Sequence, residues 1–388
     1  MTRIFLNILL LVFLLPHMAP AQVKVRVFAD RKPSSASLSV IHGKFDLDTY
    51  DGSPVPIEPG DPVIFALYGG RIAVKLRNSV SFTVDSLTVR GLTGNDNFSL
   101  RINGSPGERR YYSGSLKCIA DLGVMVFTNI CDVEEYIAGV VRTEGGPGRR
   151  IEYLKSQALL ARTYLYRNSD RHIIDGYNLC DNTHCQAFNG ITSDSLILRA
   201  ASETRDQVIL AADSTLIISA FHSNCGGETS TSDFVWLAGH AYLKRVTDPY
   251  CIKSPNAHWK KSIPLVEWES YLKRSGYNPP GNTGHSYNFA QSARHNEYRI
   301  GSFSIPFNKI RNDLNLKSSF FSVSHEGSSI VLRGRGYGHG VGLCQEGAMV
   351  MAARGFKSGE IITFYYSDVI ITDVKNAKPL KNGNDNRQ

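Results

Sequence analysis

From Val23 onward, apolar and polar positions alternate: Val23, Val25 and Val27 are separated by Lys24 and Arg26, and Ser81, Phe82, Thr83 and Val84 repeat the same period of two. Such alternation sends successive side chains to opposite faces and predicts half-buried strands. Gly, Pro and Asp-Gly signals break the pattern into turns, so residues 22–115 read as a β-rich region. At Asp132 the period changes. Asp132 followed three residues later by Glu135 has the form of a capping box, and Tyr136, Ile137, Val140 and Val141 then recur on one helical face. Continuing that face by four from Val140 reaches Glu144, after which Gly145-Gly146-Pro147-Gly148 stops the helix. Ile151, Leu154, Ala158, Ala161 and Leu165 predict a second helix whose apolar stripe packs against the first. The expected fold class is α+β, with Glu144 held where the two helices meet.

Ahead of the first strand, Arg3 precedes an apolar run over residues 4–15, and Ala19-Pro20-Ala21 supplies the small residues that a signal peptidase accepts. The run is short for a bilayer, and no other stretch approaches ~20 apolar residues. Residues 1–21 therefore read as a signal peptide, with a retained anchor as the alternative. The expected product is exported, periplasmic or secreted, with no membrane span after cleavage. The polar residues 375–388 read as a disordered tail.

Composition narrows the classes. The 388 residues are 42% hydrophobic and 20% charged, which excludes disordered, collagenous and coiled-coil chains and leaves room for two or three domains. The net charge of +8 favours acidic partners, such as anionic wall polymers or headgroups. Basic runs stop at two or three residues and no aromatic RNA-binding motif occurs, so no nucleic-acid partner is expected.

Several constellations carry chemistry. An acid closing an apolar stripe is desolvated, which raises its pKa and makes Glu144 a candidate proton donor; the alternative is a helix-end Glu facing solvent or paired with Arg142, Arg149 or Arg162. Cys180, His184 and Cys185, with His172 upstream, suit zinc, while a Cys180–Cys185 disulfide competes in an oxidising compartment. Residues 216–221 form an apolar run delivering Ser223, Cys225, Gly226, Gly227 and Thr229; paired glycines there serve a ligand approach or a plain turn, and Cys225 with Cys251 is a second candidate disulfide. A thiol nucleophile at Cys225 or Cys344 with a histidine such as His222 is a weaker reading, because sequence adjacency fixes no geometry. Gly334, Gly336, Gly338, Gly340 and Gly342 occupy every second position. An extended strand here would have one bare face, lying on packed backbone or a sugar ring, with Tyr337 and His339 on the other. A helix is expected over 343–354, stopped by Gly355.

Residues 132–167 (DVEEYIAGVVRTEGGPGRRIEYLKSQALLARTYLYR), 180–190 (CDNTHCQAFNG), 223–229 (SNCGGET) and 334–355 (GRGYGHGVGLCQEGAMVMAARG) together resemble the stage II sporulation protein D (SpoIID) and LytB family. Residues 310–321 and 361–366 are similar as well, and the resemblance spans about 116–372. It implies a SpoIID-like catalytic domain over 116–374, with 22–115 as an accessory region. It implies a peptidoglycan lytic transglycosylase that cuts between N-acetylmuramic acid and N-acetylglucosamine without water, forming a 1,6-anhydro sugar on strands stripped of stem peptides. The family's V-V-x-x-E acid falls on Glu144. It also implies a structural zinc on His172, Cys180, His184 and Cys185, and a glycan groove lined by Gln186, Ser223, Gly226, Gly227, Thr229, Tyr337, His339 and Gln345. This chain departs from the common pattern with Gly145-Gly146 where Met-Pro is usual and Cys344 where Ser is common. LytB-like members suggest a rival role: a wall-binding enhancer that assists an N-acetylmuramyl amidase without cutting glycan.

Overall fold

The computed structural model describes residues 22–76, 81–104, 109–236, 238–278 and 286–378; the expected signal peptide and the tail from residue 379 lie outside these. The start of the expected tail is ordered rather than disordered. A short 3-10 turn covers Val374–Asn376, and the Lys378 N–H donates to the Ser214 carbonyl at 2.9 Å.

The fold is α+β. Seven strands form one sheet in the order Leu179–Cys180, Gln22–Val27, Val124–Asp132, Ser115–Asp121, Ser86–Gly91, Phe45–Asp48 and Val55–Ile57. The first pairing is parallel and the others antiparallel. Six further antiparallel strands make a second sheet, from Arg109–Ser113 to Ser81–Val84. In Gln22–Val27 the three valines are buried and Lys24 is exposed, as the alternation predicts. The seven-stranded sheet draws strands from both sides of residue 115, and one apolar core runs through both parts. Phe65 meets Phe127 and Tyr112 meets Phe188 across it, with ring centroids 6.1 and 6.0 Å apart.

Helix α1 spans Val133–Glu144 and helix α2 spans Ile151–Arg167. The Asp132 carboxylate caps α1 by accepting from the backbone N–H groups of Glu134 and Glu135 at 2.7 and 3.3 Å. Tyr136, Ile137, Val140 and Val141 are all buried, as are Leu154, Ala158, Ala161 and Leu165. Gly139 has no room for a Cβ, because the Phe188 ring and the Gly190 carbonyl press against it. That contact seats the loop after Cys180 directly on α1. The helices are also tied by a buried ion pair in which the Arg162 guanidinium grips Glu134, its Nε donating to Oε1 at 3.0 Å. Arg162→Leu would leave that carboxylate buried without its cation, and a loss of about 3–5 kcal/mol is expected, read as a fall in the urea midpoint at unchanged slope.

A smaller second core surrounds Trp268 and Phe307. It is built on the three-stranded sheet of His258–Pro264, Ser329–Arg335 and Phe321–Glu326. Beyond Arg335 the expected extended strand does not continue. Gly336, Gly338, Gly340 and Gly342 have φ of +78°, +111°, +85° and +69°, so every second residue is left-handed. A Cβ at Gly336 would lie 2.5 Å from the Asn224 carbonyl oxygen, and one at Gly338 would lie 2.8 Å from the His222 Cβ. The alternating glycines let this segment press on residues 220–226. Their partner is packed protein, not a sugar face. The helix that follows is Gln345–Ala353, with Gly355 beyond it at φ +96°.

Candidate active site

Glu144 is the last residue of α1, half-buried at the junction with α2. The glycine turn is pinned from both sides: Gly145 N–H donates to the Val141 carbonyl at 2.8 Å, and the Tyr153 hydroxyl donates to the Gly145 carbonyl at 2.6 Å. Gln345 adds a third tie, its Nε2 donating to the Glu144 carbonyl at 2.8 Å and to Gln157 Oε1 at 3.2 Å. The Glu144 carboxylate accepts one N–H, from Ala187 at 2.5 Å. Burial raises its pKa to about 7, with the Ala187 hydrogen bond pulling the other way. The three arginines near it in sequence are engaged elsewhere. Arg142 donates to the Ile191 carbonyl, Arg149 pairs with Asp194, and Arg162 pairs with Glu134.

Ala187 sits in the loop that carries the cysteines. Among its neighbours, Asp181 accepts from the Phe28 and Ala29 backbone N–H groups at 2.5 and 3.0 Å and from Arg110 at 2.8 Å, anchoring the loop to the end of the first strand. An open cleft of about 590 Å³ runs past Arg110, Asp181, His184 and Ala187.

His172, Cys180, His184 and Cys185 converge so that their ligand atoms lie within 4.8 Å of one another. His172 Nε2 is 3.5 Å from the Cys185 sulfur, and His184 Nδ1 is 3.6 Å from each sulfur. Tetrahedral zinc with Zn–S of about 2.3 Å and Zn–N of about 2.0–2.1 Å separates sulfur and nitrogen by roughly 3.6 Å. The donor set and the sulfur–nitrogen spacings therefore fit zinc, and the two sulfurs would open to about 3.8 Å around the ion. The two sulfurs are 3.2 Å apart and unbonded. Their contact drives the Cys180 thiol down in pKa and the Cys185 thiol up, so one thiolate is favoured. His172 Nδ1 lies 3.2 Å from Asp175, a carboxylate placed to fix the ring with Nε2 facing inward.

The other sequence candidates are distributed unevenly. Gln186 is buried, accepting from the Tyr136 hydroxyl at 3.3 Å. Thr229 is buried and spent on the chain around Lys244 and Val246. Gly226 and Gly227 are left-handed, at φ +72° and +95°; Gly226 packs on Arg335, and its N–H donates to Asn224. Ser223 Oγ accepts from Asn256 at 3.3 Å. His339 has both ring nitrogens engaged, Nδ1 accepting from the Val341 N–H and Nε2 donating to the Phe221 carbonyl, and burial lowers its pKa to about 4. Tyr337 is 46% exposed, with Lys317 5.6 Å over its ring. Gln345 acts on the Glu144 main chain. Cys225 and Cys344 are fully buried, and Cys225 faces Asp248 and Cys251, while His222 lies against the Val341 carbonyl. That arrangement gives neither thiol a nucleophile's access to substrate.

Two features escaped the sequence reading. The Ala187 N–H has no side-chain signature. The convergence of Asp248 and Cys344 on Cys225 and Cys251 spans distant segments; the Asp248-x-x-Cys251 spacing was its one local sign.

Fold and site together define an α+β protein in which a helix-end carboxyl raised by burial stands beside a Cys–His loop. A family model described as stage II sporulation protein (SpoIID) matches residues 123–210, which hold α1, α2, Glu144 and that loop. Over 267 residues the chain is 30% identical to stage II sporulation protein D of Bacillus amyloliquefaciens, covering 62% of this chain and 74% of the relative. Against the protein of that name from Bacillus subtilis (strain 168), identity is 29% over 262 residues, with the same coverage of 62% and 74%. The amidase enhancer of Bacillus subtilis (strain 168) is 24% identical over 292 residues, 61% of this chain and 40% of the relative. The chain belongs to the stage II sporulation protein D family.

Proposed function

We propose that this protein acts on the cell wall as a lytic transglycosylase, cleaving the bond between N-acetylmuramic acid and N-acetylglucosamine in denuded peptidoglycan strands. Glu144 carries this reading: a carboxyl with a pKa of about 7, an N–H on one oxygen and its neighbouring arginines occupied. Near neutral pH such a group is populated in both protonation states. Protonated Glu144 gives its proton to the glycosidic oxygen as the C1–O bond breaks and positive charge develops at C1 and the ring oxygen. The resulting carboxylate, steadied by the Ala187 N–H, removes the proton from the muramyl C6 hydroxyl as that oxygen bonds to C1. The proton borrowed in the first half is regained in the second, and no water is consumed.

Zinc on His172, Cys180, His184 and Cys185 would supply a structural crosslink in the loop, and the closed four-ligand set suits that role. Cys185 precedes Ala187 by two residues, so the crosslink would hold the N–H that orients Glu144. Exposed Tyr337 offers a ring face for a sugar. In this reading residues 116–374 carry the catalytic groups, 22–115 complete the sheet and core beneath them, and 1–21 direct export. No helix of the described residues is long and apolar enough to cross a membrane.

The test is incubation with denuded glycan strands and mass spectrometry of the products. Anhydromuramyl ends are expected, formed at a rate that falls as pH rises through about 7, because the proton donor is lost as Glu144 ionises. The amidase-enhancer relative favours a second reading, in which the chain binds the wall and raises the turnover of an amidase. Intact strand binding with no cut ends would select it.

A further inference from the structure

Three thiols and a carboxylate meet in the interior, outside the Glu144 site. Cys225, Asp248, Cys251 and Cys344 are each fully buried, and their ligand atoms lie within 4.8 Å of one another. The Cys225 sulfur is 3.3 Å from the Cys251 sulfur and 3.2 Å from Asp248 Oδ2. No pair is bonded; a disulfide would bring two sulfurs to about 2.05 Å.

We propose that these four residues form a second metal site, holding a structural zinc-class divalent ion through three thiolates and one carboxylate oxygen. The surroundings are those of anionic sulfur. The Gly227 N–H donates to the Cys251 sulfur at 3.3 Å, and the Cys225 N–H donates to the Cys344 sulfur at 3.3 Å. Asp248 is aimed as a ligand would be. Its Oδ1 accepts from the N–H groups of Tyr250 and Cys251 at 2.8 and 3.3 Å, and the Tyr365 hydroxyl steadies Oδ2 at 3.0 Å. No Lys or Arg among the described residues forms an ion pair with Asp248, so a fully buried carboxylate lacks a direct cationic partner. A divalent cation among the four groups would supply the missing charge.

Binding replaces three S–H bonds by three metal–sulfur bonds and releases three protons, giving a centre of net charge −2. The sulfur-directed N–H groups offset that charge, as does buried Arg294, whose Nη2 donates to the Cys225 carbonyl at 2.8 Å. Four ligands and complete burial close the site to substrate, so its role is to crosslink. It would join the 223–229 turn, the 248–251 segment and Cys344, the residue immediately before the helix Gln345–Ala353. Gln345, the next residue, holds the Glu144 carbonyl.

The test is metal counting on the full chain purified with zinc and a thiol reductant, by native mass spectrometry and elemental analysis. Two ions per chain are expected, one for each Cys-containing cluster. Cys251→Ser with Cys344→Ser should lower the count by one, and Cys180→Ser with Cys185→Ser should lower it by one independently. A wild-type count of one that the second pair of changes abolishes would overturn the proposal. So would a Cys225–Cys251 disulfide, detected as the cross-linked peptide pair in a digest of the alkylated, unreduced chain. Should the Cys251/Cys344 variant fail to fold, cobalt loading of the Cys180/Cys185 variant decides: intense thiolate-to-cobalt absorption supports the site, and its absence refutes it.

Discussion

Glu144→Gln is expected to abolish formation of anhydromuramyl ends, with a loss of about 10²–10⁴-fold or more in turnover, the range general acid–base groups supply. The amide keeps the side chain's shape, and its oxygen can still accept from Ala187 N–H, so the loop geometry is retained. What disappears is the exchangeable proton, needed first by the leaving oxygen and then from the C6 hydroxyl. Loss of fold is separable from loss of chemistry. Burial raises the Glu144 pKa to about 7 in the folded state, above the ordinary carboxyl value, so the folded chain binds the proton more tightly than the unfolded one. That stabilising contribution is complete below the unfolded pKa and is lost as pH rises through about 7. At pH 8 the uncharged Glu144→Gln variant should therefore be at least as stable as the wild type by thermal denaturation, while glycan binding persists. Wild-type turnover in that variant would remove Glu144 from the mechanism.

Much of this site was legible along the chain because its determinants are local. The stripe from Tyr136 to Val141, the cap at Asp132 and the glycine stop placed Glu144 at a helix end, and three-to-four spacing placed α2 beside it. The Cys180 loop was legible because four candidate ligands, two His and two Cys, fall within fourteen residues. Residues 334–342 were misread for a physical reason. A period of two arises from an extended strand, but equally from a chain in which each alternate residue is left-handed, and periodicity cannot distinguish these. Packing against residues 220–226 decides between them, and that contact joins segments more than a hundred residues apart. The same separation concealed the meeting of Cys225 with Cys344. His339 shows the converse: its motif position pointed to a groove, whereas two main-chain hydrogen bonds occupy its ring.

Breaking the His172–Cys180–His184–Cys185 cluster should impair turnover without unfolding the protein. Cys185→Ser removes one of the proposed zinc ligands, two residues from Ala187, whereas both sheets and the main core are assembled largely from other segments. A displacement of the Ala187 N–H by about 1 Å would cost on the order of 10²-fold in rate, because the carboxyl then no longer meets the glycosidic oxygen in a productive geometry. The pH profile carries a signature that general loosening would not produce. The Ala187 hydrogen bond lowers the Glu144 pKa, so its loss moves the alkaline limb of the profile upward, toward higher pH, while the maximal rate falls. Zinc content should drop by one ion per chain, with faster hydrogen exchange at Ala187 and a main thermal transition close to that of the wild type. Chelation of the wild-type protein should reproduce the upward shift, and restoring zinc should reverse it. Unchanged metal content in Cys185→Ser would refute the ligand set, and an unshifted limb after verified zinc loss would separate the metal from Glu144.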